Sequence, residues 1–110
     1  MKFKTTLLTG SLFVALAGLS PAHAAADEAA AQSLAKKNDC FKCHAVDKTK
    51  KGPSFQNVAA KYKGKADGEA SVVKFITSAS KIPGSDDEHK VIDTKDQKEL
   101  KNLAQWILTR

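Results

Sequence analysis

Cys40-Phe41-Lys42-Cys43-His44 is the stretch that decides how this chain folds. Both cysteines of the 110-residue sequence fall within these five positions, and a histidine directly follows the second. The spacing C-x-x-C-H is the attachment signature of haem c. Two thiols add across the two vinyl groups of one porphyrin edge, and two intervening residues let the backbone turn far enough to reach both. The neighbouring imidazole is thereby aimed at the iron as its proximal ligand. On this reading Cys40 and Cys43 make the thioether bonds, His44 ligates the iron, and Phe41 and Lys42 face away.

Three other chemistries share parts of the pattern. A thioredoxin-like redox pair also uses C-x-x-C, but in a βαβ setting, and no strand pattern is found here. A zinc site takes four ligands. Cys43 and His44 are neighbours that seldom bind one tetrahedral ion together, and no second C-x-x-C exists. A disulfide closing this tiny loop would leave His44 without a role.

Upstream, Lys2 and Lys4 form a basic start and Leu7 to Leu19 is an uncharged run of 13 residues. Pro21 breaks it, and Ala22-His23-Ala24 offers small residues at both positions a signal peptidase reads. This is the three-part pattern of a secretory signal, cleaved after Ala24. The run falls short of the roughly 20 residues a membrane-spanning helix takes. No cysteine stands at the cleavage point to carry a lipid. Residues 1–24 are therefore expected to be a removable leader. Residues 25–110 are then one soluble domain in the periplasm, without a membrane anchor.

Removing 24 of 110 residues leaves 86, and takes two lysines and no acid, so the net charge falls from +6 to +4. With 42% hydrophobic and 27% charged residues, the chain is neither a multi-span membrane protein nor fully disordered. So short a domain buries a small core and often needs a metal, disulfide or cofactor to stabilise it. The C-x-x-C-H segment supplies that staple.

The rest reads as short helices. Residues 28–38 place Ala31, Leu34 and Ala35 at helical spacing, with Asp27 as N-cap and Asn38 near the end. The alanine-rich stretch from Ala24 to Ala31 reads as a loose N-terminus. After the turn at Gly52-Pro53, Ser54 caps a second helix with Phe55, Val58, Ala59 and Tyr62 on one face and Gly64 at its end. A third helix spans about 69–80, where Val72, Val73, Phe75, Ile76 and Ala79 make a wide apolar face, and Ile82-Pro83-Gly84 stops it. The last begins at the capping box Thr94-x-x-Gln97 and carries Leu100, Leu103, Ala104, Ile107 and Leu108 in a 3.6-residue period. Trp106 lies off the centre of that stripe, placed to flank the haem or the first helix. The expected fold is all-α, about four short helices around one covalently bound haem c.

Leu34 to Asp39 leading into the C-x-x-C-H motif, then Gly52-Pro53-Ser54-Phe55, then Leu103-Ala104-Gln105-Trp106-Ile107-Leu108 together resemble the small class I cytochromes c of bacteria. The resemblance spans essentially all of residues 25–110. It implies that the first and last helices cross and that the haem lies in a crevice between helices. It also implies that the Pro53 carbonyl accepts a hydrogen bond from the ring N–H of His44, fixing that ligand's orientation.

One departure from the family bears on function. Its members usually supply a methionine as sixth iron ligand, from the loop before the last helix. Here the only methionine is Met1, which leaves with the leader, and His23 leaves too. His44 and His89 remain. His89 falls between Pro83 and Thr94, where the resemblance places the missing methionine. His89 is therefore the proposed distal iron ligand. Lys90, which must first lose a proton, and an empty sixth position are the alternatives.

An imidazole donates more strongly to iron than a thioether, favouring the ferric state and lowering the reduction potential. The expected function is a bis-histidine, low-potential carrier of single electrons among periplasmic partners, without enzymatic activity. The alternative is a haem-based binder or sensor of a small gas, with an open or labile sixth position. Peroxidase-like catalysis, which needs distal acid–base groups, ranks below both. Lys42, Lys48, Lys50 and Lys51, then Lys61, Lys63 and Lys65, cluster around and after the motif. They suit docking to an acidic redox partner, against the default of a solvated surface. Nucleic acid is not an expected partner, and a monomer is expected.

Overall fold

The computed structural model describes residues 25–110, so the leader read at residues 1–24 lies outside the described residues. Five helices follow in order: α1 (Glu28–Lys37), α2 (Cys40–Cys43), α3 (Phe55–Tyr62), α4 (Gly68–Thr77) and α5 (Gln97–Leu108). About four were expected; the fifth is the single turn α2, too short to carry a hydrophobic period.

Local chemistry sets the helix ends. The Asp27 carboxylate accepts from the Ala30 N–H, Glu28 lies in the first turn of α1, and Lys36 and Lys37 lie in its last turn, all complementing the helix dipole. Asn38 closes α1 with its backbone N–H on the Leu34 carbonyl. Ala29 to Ala31, expected to be loose, belong to this helix, and Ala31 is fully buried. Ser54 caps α3 by accepting from the Asn57 N–H. Gly64, at φ 78°, turns the chain after α3 in a conformation that suits glycine.

Two boundaries differ from expectation. The third expected helix, 69–80, runs from Gly68 to Thr77, because Ser78 turns extended and its hydroxyl donates back to the Lys74 carbonyl. The last helix is capped by Asp96, whose side chain accepts from the Lys98 N–H. The Thr94 hydroxyl instead donates to the Glu99 carboxylate, so no Thr94–Gln97 capping box forms.

α5 is the hub of the core, packing against α1, α3 and α4. Leu100, Leu103, Ala104, Trp106 and Ile107 are buried along it and meet Ala31 and Ala35 of α1, Phe55 of α3 and Val72 of α4. Trp106, expected at the margin of the stripe, is fully buried. Alanines on both α1 and α5 let those helices approach closely. The start of α1 is latched to the middle of α5 by two reciprocal bonds: Asp27 N–H to Asn102 Oδ1 (2.7 Å) and Asn102 Nδ2 to the Asp27 carbonyl (2.9 Å). This framework holds α2 and the loop between α4 and α5 on one side of α5's apolar face.

Candidate functional site

Cys40 and Cys43 stand three residues apart on α2, so one helical turn puts both thiols on the same face. Both are free thiols; Cys40 is half-buried, which pushes its thiol above the ordinary range, and Cys43 is exposed. Among the described residues no three His, Cys, Asp or Glu side chains gather as a metal cage. The α2 turn is pinned by Lys50, whose Nζ donates to the Phe41 carbonyl at 2.6 Å. Phe41 does not face away as expected. Its ring packs edge-on against Phe55 (5.9 Å) and Trp106 (6.5 Å), because the tight α2 turn rolls it onto the core.

His44 leaves α2 in extended conformation and is held on two sides. Its Nδ1 lies 2.6 Å from the Pro53 carbonyl oxygen. A carbonyl can only accept, so Nδ1 carries a proton, and Nε2 is the nitrogen that holds the lone pair in the neutral ring. The ring stacks on Phe55 at 5.3 Å and 22°. Gly52 presses on it from the backbone: a Cβ there would lie 2.5 Å from His44 Cε1 and 2.9 Å from Nδ1. In the sequence Gly52 reads only as a turn residue, since close backbone approach to a side chain leaves no local pattern.

His89 sits in the loop between α4 and α5, half-buried, with its ring edge-on to Phe75 at 4.9 Å. Its Nδ1 donates to the Lys90 carbonyl at 2.9 Å, so here too Nε2 holds the lone pair in the neutral ring. Burial is the main cause that pulls the His89 imidazolium below the usual histidine range, opposed by the Lys90 carbonyl and helped by the nearby His44. Neutral imidazole, the form that ligates metals, is thereby favoured.

The two imidazole rings are 6.1 Å apart, centre to centre, and tilted by 41°. A metal–imidazole bond is about 2.0–2.1 Å, and ring bonds of about 1.33 Å put each nitrogen roughly 1.15 Å from its ring centre. Two imidazoles on opposite sides of one ion therefore sit about 6.4 Å apart. Both rings line an apolar cavity of about 60 Å³ together with Cys40, Phe55, Ile92 and Leu103. A larger, open concavity of about 360 Å³ is lined by Ser33, Lys37, Thr94 and Glu99 and by none of the two cysteines and two histidines. Two thiols on one turn, an oriented imidazole beside them and a second imidazole across an apolar cavity fit a covalently held haem.

Two further groups were not foreseen. Asn38 is buried: its Oδ1 accepts from the Asp93 N–H at 2.8 Å and its Nδ2 donates to the Leu34 carbonyl at 3.0 Å. Asp39, in the left-handed region at φ 59°, receives Lys90 Nζ at 3.1 Å and Lys42 Nζ at 3.2 Å. The Trp106 indole N–H is buried and has no acceptor among the described residues.

The family model described as Cytochrome c matches residues 28–110. Cytochrome c-551 of Pseudomonas denitrificans is 37% identical over 83 residues, covering 71% of this chain and 94% of that protein. Cytochrome c-552 of Nitrosomonas europaea is 36% identical over 98 residues, covering 88% and 90%. Among solved structures, the class 1 cytochrome MtoD from Sideroxydans lithotrophicus ES-1 is 52% identical with a TM-score of 0.71, over 77% of this chain and 97% of that one. Wild-type Nitrosomonas europaea cytochrome c552 follows at 33% identity and a TM-score of 0.61, over 71% and 96%. Since the match runs from the start of α1 to the last residue and takes in the C-x-x-C-H turn, this chain belongs to the cytochrome c family, as a small class I electron-transfer cytochrome with one covalent haem c.

Proposed function

We propose that this cytochrome is a bis-histidine, low-potential electron carrier in which Cys40 and Cys43 would hold the haem and His44 and His89 would ligate its iron. Cys40 and Cys43 would hold the haem by thioether bonds, which free thiols can form by adding S–H to a vinyl group without an oxidant. When bound, haem c supplies a one-electron iron couple. The protein's own residues orient the two imidazoles, exclude water from between them and present the site to a partner.

The observation that carries the reading is the 6.1 Å pairing of two imidazole rings, each with Nδ1 committed to a backbone carbonyl. Lys90 is a poorer candidate for the sixth position, because its ammonium is engaged by Asp39 at 3.1 Å. Residues 25–110 contain no methionine. The Pro53 carbonyl makes His44 a stronger donor through its Nδ1–H, and a second imidazole in place of a thioether lowers the potential further. The basic leader-like start supports export to the periplasm, and among the described residues no helix is long and apolar enough to cross a membrane.

Ferrous and ferric absorption spectra before and after carbon monoxide test the ligation. The expected result is a low-spin spectrum indifferent to the gas in the wild type, and gas binding in His89→Ala. A wild-type ferrous protein that is high-spin and binds carbon monoxide at once would overturn the carrier reading in favour of a gas-binding one.

A further inference from the structure

The loop that carries His89 is anchored on two sides. Toward α4 the ties are backbone bonds: His89 N–H to the Ser80 carbonyl (2.8 Å) and Ile92 N–H to the Ile76 carbonyl (2.8 Å). Toward the haem-attachment turn the ties are made by Asn38 and Asp39, the two residues that join α1 to Cys40. Asn38 Oδ1 takes the Asp93 N–H across 55 residues of chain, and Asp39 takes the Lys90 ammonium across 51. These grips fall one and four residues after His89. Asn38 is 5% exposed and its amide is fixed at the other end by the Leu34 carbonyl, so it is a rigid peg and not a surface contact. Asn38 and Lys90 also border the cavity shared by the two histidines.

We infer that Asn38 and Asp39 are positioning residues that clasp the His89 loop to the attachment turn and so keep the sixth iron position closed to outside ligands. This rests on the reading of His89 as that ligand. The anchorage is asymmetric. The α4 ties use backbone groups that any sequence would supply, whereas the clasp depends on two particular side chains. Asn38→Ala leaves the Asp93 N–H without its acceptor and the loop free to swing away from α2. Losing this part-buried hydrogen bond raises the population of the detached loop by up to about tenfold. Asp39→Asn removes an exposed ion pair and should raise it by a smaller factor, about two- to fivefold.

The probe is carbon monoxide, mixed with the ferrous holoprotein and followed by stopped-flow absorbance. Binding in Asn38→Ala should be up to about tenfold faster than in the wild type. Asn38→Asp keeps an acceptor for the Asp93 N–H but loses the donor to the Leu34 carbonyl, so its rate should fall between those of Asn38→Ala and the wild type. Hydrogen exchange at the Asp93 amide should speed up in parallel in Asn38→Ala. Ala31→Gly, which weakens buried α1 away from the clasp, should bind the gas at the wild-type rate despite a lower melting temperature. Equal acceleration in Ala31→Gly would make the effect one of global opening and overturn the inference. If His89→Ala binds fast while Asn38→Ala and Asp39→Asn match the wild type, the clasp is refuted and the ligation stands. If the wild type already binds as fast as His89→Ala, the ligation itself is refuted.

Discussion

Gly52→Ala should disturb His44, the proposed proximal ligand, more than its size suggests. A Cβ at this position would lie 2.5 Å from His44 Cε1 and 2.9 Å from Nδ1. Ordinary carbon–carbon contact begins at about 3.5 Å, so the imidazole or the backbone must give by about 1 Å. The ring cannot retreat freely, because Phe55 stacks on it at 5.3 Å. Overpacking of this kind costs about 1–3 kcal/mol. A shift of that size also breaks the 2.6 Å bond from Nδ1 to the Pro53 carbonyl, worth a further 0.5–1.5 kcal/mol or about that. Each kcal/mol lowers the melting midpoint of a domain this small by about 4–8 °C. Losing the Pro53 bond also makes His44 a weaker donor, so the reduction potential should rise. The assay is thermal unfolding of the holoprotein by far-ultraviolet circular dichroism, beside a spectroelectrochemical titration. Gly64→Ala is the control: it stands at φ 78° with nothing within 4 Å, so it should lose stability with no change in potential. A Gly52→Ala protein with the wild-type potential and Soret band would refute the argument.

Three other outcomes are expected. His89→Met restores the ligand pair usual in the family and should raise the midpoint potential, read by the same titration; an unchanged potential would mean that His89 never ligated the iron. The Asp39 carboxyl is held below the usual carboxylate range, first by the hydrogen bond from Lys90 and then by Lys42. A depressed folded-state pKa contributes stability that is full above the unfolded value of about 3.9 and is lost as pH falls from there through the lower folded-state value. The melting-temperature gap between wild type and Asp39→Asn should therefore be present at pH 6 and close on acidification toward pH 3. Lys48, Lys51 and Lys63 are exposed and in no ion pair among the described residues. Electron transfer to an acidic redox partner should slow as ionic strength rises, and more weakly in a Lys48→Glu/Lys51→Glu variant; a flat salt dependence in the wild type would remove this docking surface.

The C-x-x-C-H turn, the all-helical class and the capping of α1 and α3 were legible because each is written in contiguous residues. The apolar period of α5 was equally plain, although its start was not: Asp96 outcompetes Thr94 as cap once Thr94 turns to Glu99. α2 escaped notice because four residues carry no period. Phe41 was misjudged because x positions in a motif say nothing about what the core outside it needs; here the core needs a ring between Phe55 and Trp106. The grip of Asn38 on Asp93 spans 55 residues and leaves no trace in either local sequence. His89 was singled out by position in a loop and by the scarcity of other donors, while its neighbours Phe75 and the Lys90 carbonyl became visible only in three dimensions.

Within residues 25–110 there are two histidines, and they stand 45 positions apart. The thiols, His44 and Pro53 all fall inside one 14-residue segment, so an unfolded chain with its haem attached still carries the proximal ligand next door. Within residues 25–110 the only other imidazole is His89, the proposed distal ligand. On the proposed ligation, residues 25–110 hold no spare imidazole to compete with His89 for the iron. Capture by His89 closes a loop whose length-dependent entropy cost is about 3.4 kcal/mol plus a constant. Iron ligation would thus act as an early tether that shortens the search for the remaining contacts, and its colour change as a clock for when the search begins.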